Sequence, residues 1–124
     1  MNQKILVADD EPNIVISLEY LLKREGYTVL IARDGQEALE TIAREQPDLV
    51  LLDVMMPKKT GFEVCQSVRA SDKPQATKIL MLTARGRDTD VTKGLALGAD
   101  AYITKPFSTR ELKQKVAQML AGQA

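Results

Sequence analysis

Five residues carry most of the chemistry open to this sequence. Asp9 and Asp10, with Glu11 next, follow the apolar run Ile5-Leu6-Val7-Ala8. Asp53 follows Leu49-Val50-Leu51-Leu52, Thr83 follows Ile79-Leu80-Met81-Leu82, and Lys105 follows Ala101-Tyr102-Ile103-Thr104. Each run has the continuous apolar character of a strand buried on both faces. If the first and third runs are neighbours, Asp9, Asp10 and Asp53 come close together. Like charges at that range raise one another's pKa unless a cation intervenes. A divalent ion that takes oxygen ligands and keeps some of its waters is the natural solution, and Mg²⁺ fits best. Lys105 adds a further positive charge. A carboxylate in this setting can act as a nucleophile and become an aspartyl phosphate. The charge of the transition state would be met by Mg²⁺, the Lys105 ammonium, the Thr83 hydroxyl and backbone N–H groups after Asp53. Asp53 follows the most apolar run, expected at the centre of the sheet, and is the expected nucleophile. Asp9 and Asp10 arrive as a pair and better suit the metal.

Composition removes the main competitors. The 124 residues include no His, no Trp and one Cys. That excludes Ser-His-Asp and Cys-His catalysis, imidazole ligation, an internal disulfide and a Cys-rich zinc site. The 17 basic and 17 acidic side chains cancel, which argues against the basic footprint of a nucleic-acid binder. The cancellation is uneven: residues 1–62 hold 7 basic and 11 acidic groups, residues 63–124 hold 10 and 6. Such polarity usually means differently solvated faces. No apolar run approaches the roughly 20 residues of a membrane span, and the four apolar residues after Lys4 are too few for a signal peptide. Cytoplasm is the expected compartment, where the free Cys65, read as a core hydrophobe, is comfortable.

The elements that must position these groups alternate. Strands are expected at residues 5–8, 27–31, 49–52, 79–82 and 101–104. Pro12 suits a helix first turn, with Ile14, Val15, Leu18, Leu21 and Leu22 as its apolar stripe and Gly26 as its stop. Asp34-x-x-Glu37, Thr60-x-x-Glu63 and Ser108-x-x-Glu111 read as capping boxes that open three further helices, the last being the clearest. A fourth helix is expected from Asp88 to Leu97, weakened by Gly94. Five βα units predict a single α/β domain over residues 1–124: a doubly wound five-stranded parallel sheet with helices on both faces. Ligands in such folds sit beyond the carboxyl ends of the strands.

Four segments in order, ILVADDEP, LLDVMMPKKTGFEV, MLTARG and GADAYITKPFSTREL, resemble the receiver domain of two-component response regulators, and the resemblance covers essentially the whole chain. It implies a flavodoxin-like sheet in the order 2-1-3-4-5. It implies Asp53 as the acceptor of a phosphoryl group from a phosphohistidine, and Mg²⁺ held by Asp9 or Asp10 (Asp10 favoured), Asp53 and the Met55 carbonyl. Thr83 is implied as the switch hydroxyl, Lys105 as the phosphate-binding lysine, Tyr102 as the switch aromatic and Lys105–Pro106 as a cis bond. The output face is implied on the fourth helix, fifth strand and fifth helix. The expected partners are a sensor histidine kinase or histidine phosphotransfer protein, met through residues such as Asn13, Ile14 and Ser17, and a downstream effector or fused output domain. No direct nucleic-acid or membrane contact by this domain is expected.

Further expectations follow from the same resemblance. Met55 and Arg85, the positions that tune dephosphorylation, lack a water-positioning amide, which implies a long phosphorylated lifetime. Lys93 and Glu111 suit a phosphorylation-dependent homodimer, whereas Ala101 departs from the acidic residue common there. The domain is expected to act only on itself rather than as an enzyme on a separate substrate. A phosphatase of the haloacid dehalogenase type would want a second Asp two residues after the nucleophile, where this chain has Met55. A binding module that had lost the chemistry would not need the full acidic set.

Overall fold

The computed structural model describes residues 3–71, 77–84 and 86–121. Its order is β1 (Lys4–Ala8), α1 (Pro12–Arg24), β2 (Thr28–Ala32), α2 (Gly35–Glu45), β3 (Leu49–Asp53), α3 (Gly61–Arg69), β4 (Lys78–Ala84), α4 (Asp88–Ala96), β5 (Ala101–Lys105) and α5 (Thr109–Leu120). All strand pairs are parallel and the sheet order is β2-β1-β3-β4-β5. This is the expected doubly wound architecture, with β3 at the centre.

The period of two along the strands sorts the core into two layers. Leu6, Ala8, Val50, Leu52, Ile79 and Met81 face one way and meet Ala38 and Ile42 of α2 and Val64, Cys65 and Val68 of α3. Ile5, Val7, Leu49, Leu51, Leu80 and Leu82 face the other way and meet Val15, Leu18 and Leu22 of α1 and Leu112, Val116 and Met119 of α5. β3 is buried along its whole length, Asp53 included.

Helix ends follow local chemistry. Pro12 opens α1, where a missing N–H costs nothing. Gly26 follows the helix at φ 94°, left-handed space that glycine enters freely. Thr60 and Glu63 form a complete capping box. The other two are half made. Asp34 and Ser108 each accept an N–H three residues on, but the Glu37 carboxylate accepts from the Arg33 N–H rather than from the cap, and Ser108 caps without a reciprocal bond. Thr60, not Ser108, therefore holds the best-formed box.

Several boundaries move. Tyr27 lies outside β2; its N–H is spent on the Leu22 carbonyl at the end of α1. β4 runs on to Ala84, and β5 includes Lys105, paired with Ala84. Gly94 does not merely weaken α4: it is that helix's one buried residue, seated against the Met81 side chain. The far end of α4 is tied down by Arg69, whose guanidinium donates to the carbonyls of Gly98 and Thr77 and to Asp100. Cys65 is fully buried and its thiol donates to the Leu97 carbonyl. Among the described residues, no helix is long and apolar enough to cross a membrane.

Candidate functional site

The carboxyl ends of β1, β3 and β5 meet at one edge of the sheet. Asp9 follows β1 directly, is fully buried, and its N–H is held by the Ala32 carbonyl of β2. One Asp9 oxygen accepts the Glu11 N–H at 2.9 Å, which turns the chain into α1. Asp10 is exposed beside it. Asp53 ends β3 opposite Leu82. One carboxylate oxygen from each of Asp9, Asp10 and Asp53 falls within 4.8 Å of the others.

Lys105 closes the arrangement. Its Nζ lies 2.9 Å from Asp9 Oδ2, 2.8 Å from Glu11 Oε1 and 3.4 Å from Asp53 Oδ1. The ammonium is thus aimed by Asp9 and Glu11 and reaches Asp53 as its longest contact. Glu11 precedes α1 but makes no side-chain cap, because its carboxylate is given to Lys105. Burial alone would lower the Lys105 pKa; Glu11, Asp9 and Asp53 outweigh it and push it up, so this lysine stays charged. The Lys105–Pro106 bond is cis, as expected.

Asp53 titrates at about 6, raised first by burial and second by the Asp9 charge; Lys105 and a hydrogen bond from the Met55 backbone recover only part of that shift.

The loop from Val54 to Thr60 is seated closely. Gly61 donates its N–H to the Val54 carbonyl at 2.8 Å, and a Cβ at Gly61 would collide with the Asp53 carbonyl. Met55 is 69% exposed while Met56 is buried, and the Met55 backbone hydrogen-bonds Asp53.

A cleft of about 330 Å³ opens over these groups, lined by Asp10, Glu11, Asp53, Met55, Arg87, Asp90 and Lys105 among others. Arg87 and Asp90, paired with each other at 2.9 Å, were not singled out in the sequence, where they look like any first-turn ion pair. Glu11 was visible as part of an acidic run, but nothing in its spacing tied it to Lys105.

Thr83 differs in placement from the other groups. It sits at the end of β4 opposite Thr104 and is buried, but it lines a neighbouring hollow with Arg87, Val91, Tyr102 and Thr104 rather than the acidic cleft. Among the described residues its hydroxyl is the buried side-chain polar atom without a hydrogen-bond partner. Tyr102 lines the same hollow and is 43% exposed. Arg85 lies outside the described residues. Lys58 is exposed and paired with Asp34.

The sequence model of the response regulator receiver domain matches residues 5–117. The chain belongs to the response regulator receiver family. This receiver is 52% identical over 120 residues to the alkaline phosphatase synthesis transcriptional regulatory protein PhoP of Bacillus subtilis, covering 97% of this chain and 49% of that protein. The chain thus spans about half the length of the curated relative it matches. The chemotaxis response regulator CheY4 of Vibrio cholerae is 34% identical, with a TM-score of 0.89 and coverage of 96% of this chain and 99% of that one. The receiver domain of a sensor histidine kinase from Pseudomonas aeruginosa, solved with a magnesium ion coordinated in its active-site cleft, is 28% identical at a TM-score of 0.88, covering 98% and 99% of the two chains.

Receivers accept a phosphoryl group on an aspartate from a histidine kinase and bind Mg²⁺ at an acidic pocket. The donor set here fits that ion. Its atoms are all hard carboxylate oxygens, gathered within 4.8 Å of one another, the ligand type that Mg²⁺ takes.

Proposed function

We propose that Asp53 is the phosphoacceptor of this receiver. An Asp53 oxygen attacks the phosphorus of a phosphohistidine on a sensor histidine kinase or histidine phosphotransfer protein; the P–N bond breaks and the imidazole leaves as the phosphoryl group becomes an aspartyl phosphate. One observation carries the reading: a buried carboxylate at the centre of the sheet, flanked by the Asp9–Asp10 pair and within reach of a permanently charged Lys105.

Asp9, Asp10, Asp53 and the Met55 carbonyl would hold Mg²⁺, with Asp10 the more direct of the pair. That ion would supply positive charge to the carboxylates and to the equatorial phosphoryl oxygens. Lys105 supplies the second positive charge to those oxygens and is already aimed by Asp9 and Glu11. The N–H groups after Asp53 add hydrogen bonds. Thr83 brings its unpartnered hydroxyl from the hollow to the phosphoryl group. Tyr102 then turns into the space that Thr83 leaves, and the face made by α4, β5 and α5 changes shape, with Pro106 setting the path after Lys105.

Residues 1–124 form one receiver domain that catalyses only its own phosphorylation and dephosphorylation, in the cytoplasm. The similarity to half of a transcriptional regulator supports a downstream effector or a fused output domain. The zero net charge supports assigning nucleic-acid contact to such a partner rather than to this domain. A phosphorylation-dependent homodimer through α4, β5 and α5 fits the family; Lys93 sits over the Phe62 ring at 4.6 Å and would have to leave it to pair across an interface.

The test is intact-protein mass after incubation with acetyl phosphate, with and without Mg²⁺. A Mg²⁺-dependent gain of one phosphoryl group, lost in Asp53→Asn, is the expected result. A gain that survives Asp53→Asn would overturn the assignment.

A further inference from the structure

The Met55 carbonyl assigned to the metal belongs to the loop between β3 and α3, and the conformation of that loop is unusual at its crest. The Lys59 N–H donates to the Pro57 carbonyl at 2.8 Å, closing a three-residue turn around Lys58 at φ 71°. A γ-turn with positive φ is the rare, strained form, and lysine gains nothing locally from left-handed space. Strain of this kind persists only where the surroundings over-determine it, and it collects at functional sites.

The surroundings are the start of α2. The Gly35 N–H donates to the Pro57 carbonyl at 3.2 Å, a second bond to the oxygen that closes the turn. Gly35 also lies flat against Lys59, so that any Cβ at position 35 would overlap the Lys59 carbonyl and side chain. Asp34 fixes Gly35 in place: one oxygen caps α2 through the Glu37 N–H, and the other faces Lys58 Nζ at 3.6 Å. α2 is anchored in turn by the buried Ala38 and Ile42. Neither Asp34 nor Gly35 lines the cleft.

We propose that Gly35, held by Asp34, is a positioning residue of the phosphoacceptor site: the start of α2 presses the crest of the loop into the shape that presents the Met55 carbonyl to Mg²⁺. This inference rests on the metal assignment made above. The exposed Asp34–Lys58 ion pair contributes little by itself. The fit of Gly35 to Lys59 and the shared Pro57 carbonyl do the positioning. The consequence is a separation of two quantities that a merely structural loop would move together. Lys58→Gly relieves the strained backbone, so the fold is stabilised. The same change loosens the crest, so metal binding weakens.

The experiment uses Mn²⁺ as an electron-paramagnetic-resonance probe, displaced by Mg²⁺, on wild type, Gly35→Ala, Lys58→Gly and Asp53→Asn, with thermal melts in chelator. Gly35→Ala is expected to weaken metal binding about tenfold, as changes behind a metal ligand commonly do. It should also slow acetyl phosphate labelling at low Mg²⁺, with recovery at saturating Mg²⁺. Lys58→Gly is expected to melt higher than wild type and bind metal more weakly, and it keeps the test decisive if Gly35→Ala fails to fold. Wild-type affinity in Lys58→Gly, or a melting temperature and affinity that fall together, overturns the positioning role. Metal binding in wild type that is absent, or untouched by Asp53→Asn, overturns the metal assignment itself and this inference with it.

Discussion

Asp53 carries a conflict that its ordinary pKa does not suggest. Its carboxyl is raised to about 6 by burial and by Asp9. Above that pH both folded and unfolded chains are ionised there, and the folded state bears the full cost of a desolvated, crowded charge. As pH falls from about 6 toward 4 the folded state takes up the proton first and the cost disappears. The shift corresponds to on the order of 2–3 kcal/mol at one pKa unit per 1.36 kcal/mol. Asp53→Asn should therefore stabilise the metal-free protein near pH 7.5 by roughly 1–3 kcal/mol and make no difference near pH 4. Urea melts in chelator at both pH values check this. Mg²⁺ should stabilise wild type more than the variant, because it relieves the same repulsion. Thr83 offers the complementary case. Its buried hydroxyl lacks a partner among the described residues, so Thr83→Val should leave stability unchanged or raise it by up to about 1 kcal/mol. It should also abolish the response of the Tyr102 NMR signals to phosphorylation of the domain. A loss of stability would mean the hydroxyl is bonded after all.

At the scale of the elements, capping is unequal in a way that sequence patterns hide. The three S/T/D-x-x-E segments look alike, yet only Thr60–Glu63 exchanges both bonds. Glu37 is captured by the N–H of the residue before its cap, a competition that only the loop path decides. Thr60→Ala should cost about 1–2 kcal/mol and Ser108→Ala about 1 kcal/mol or less; ranking the two by chemical denaturation tests the difference. Strand positions, helix count and the apolar faces were legible in the sequence because burial on both sides writes continuous hydrophobic runs into β1, β3 and β4, whereas the strand order came only through the family resemblance. Asp9, Asp10, Asp53 and Lys105 were legible for the same reason: they punctuate those runs. Glu11, Arg87 and Asp90 were not, since their roles depend on which side chain reaches across a cleft between elements far apart in the chain. The separation of Thr83 from the acidic cleft was equally hidden. Its neighbours along β4 put it at the strand end but do not fix the side on which its hydroxyl emerges.

Across the whole molecule, the two core layers are not equally secured. α1, α3 and α5 each bury three or more residues; α4 buries Gly94 alone and begins at Arg87 without a side-chain cap. Its far end is fastened through Arg69 to Gly98, Thr77 and Asp100, with the Ala99 N–H on the Gly94 carbonyl. A helix fixed at one end and lightly packed along its length opens locally at little free-energy cost. Helix α3, with the same nine residues, has four of them buried and a full capping box, and so serves as an internal standard. In native-state amide hydrogen exchange, the first turn of α4 should lose protection well before α3, and its last turn should fall between the two. The first turn of α4 lies beside the hollow shared by Thr83 and Tyr102, so the domain keeps a lightly held stretch of backbone next to the residues expected to move.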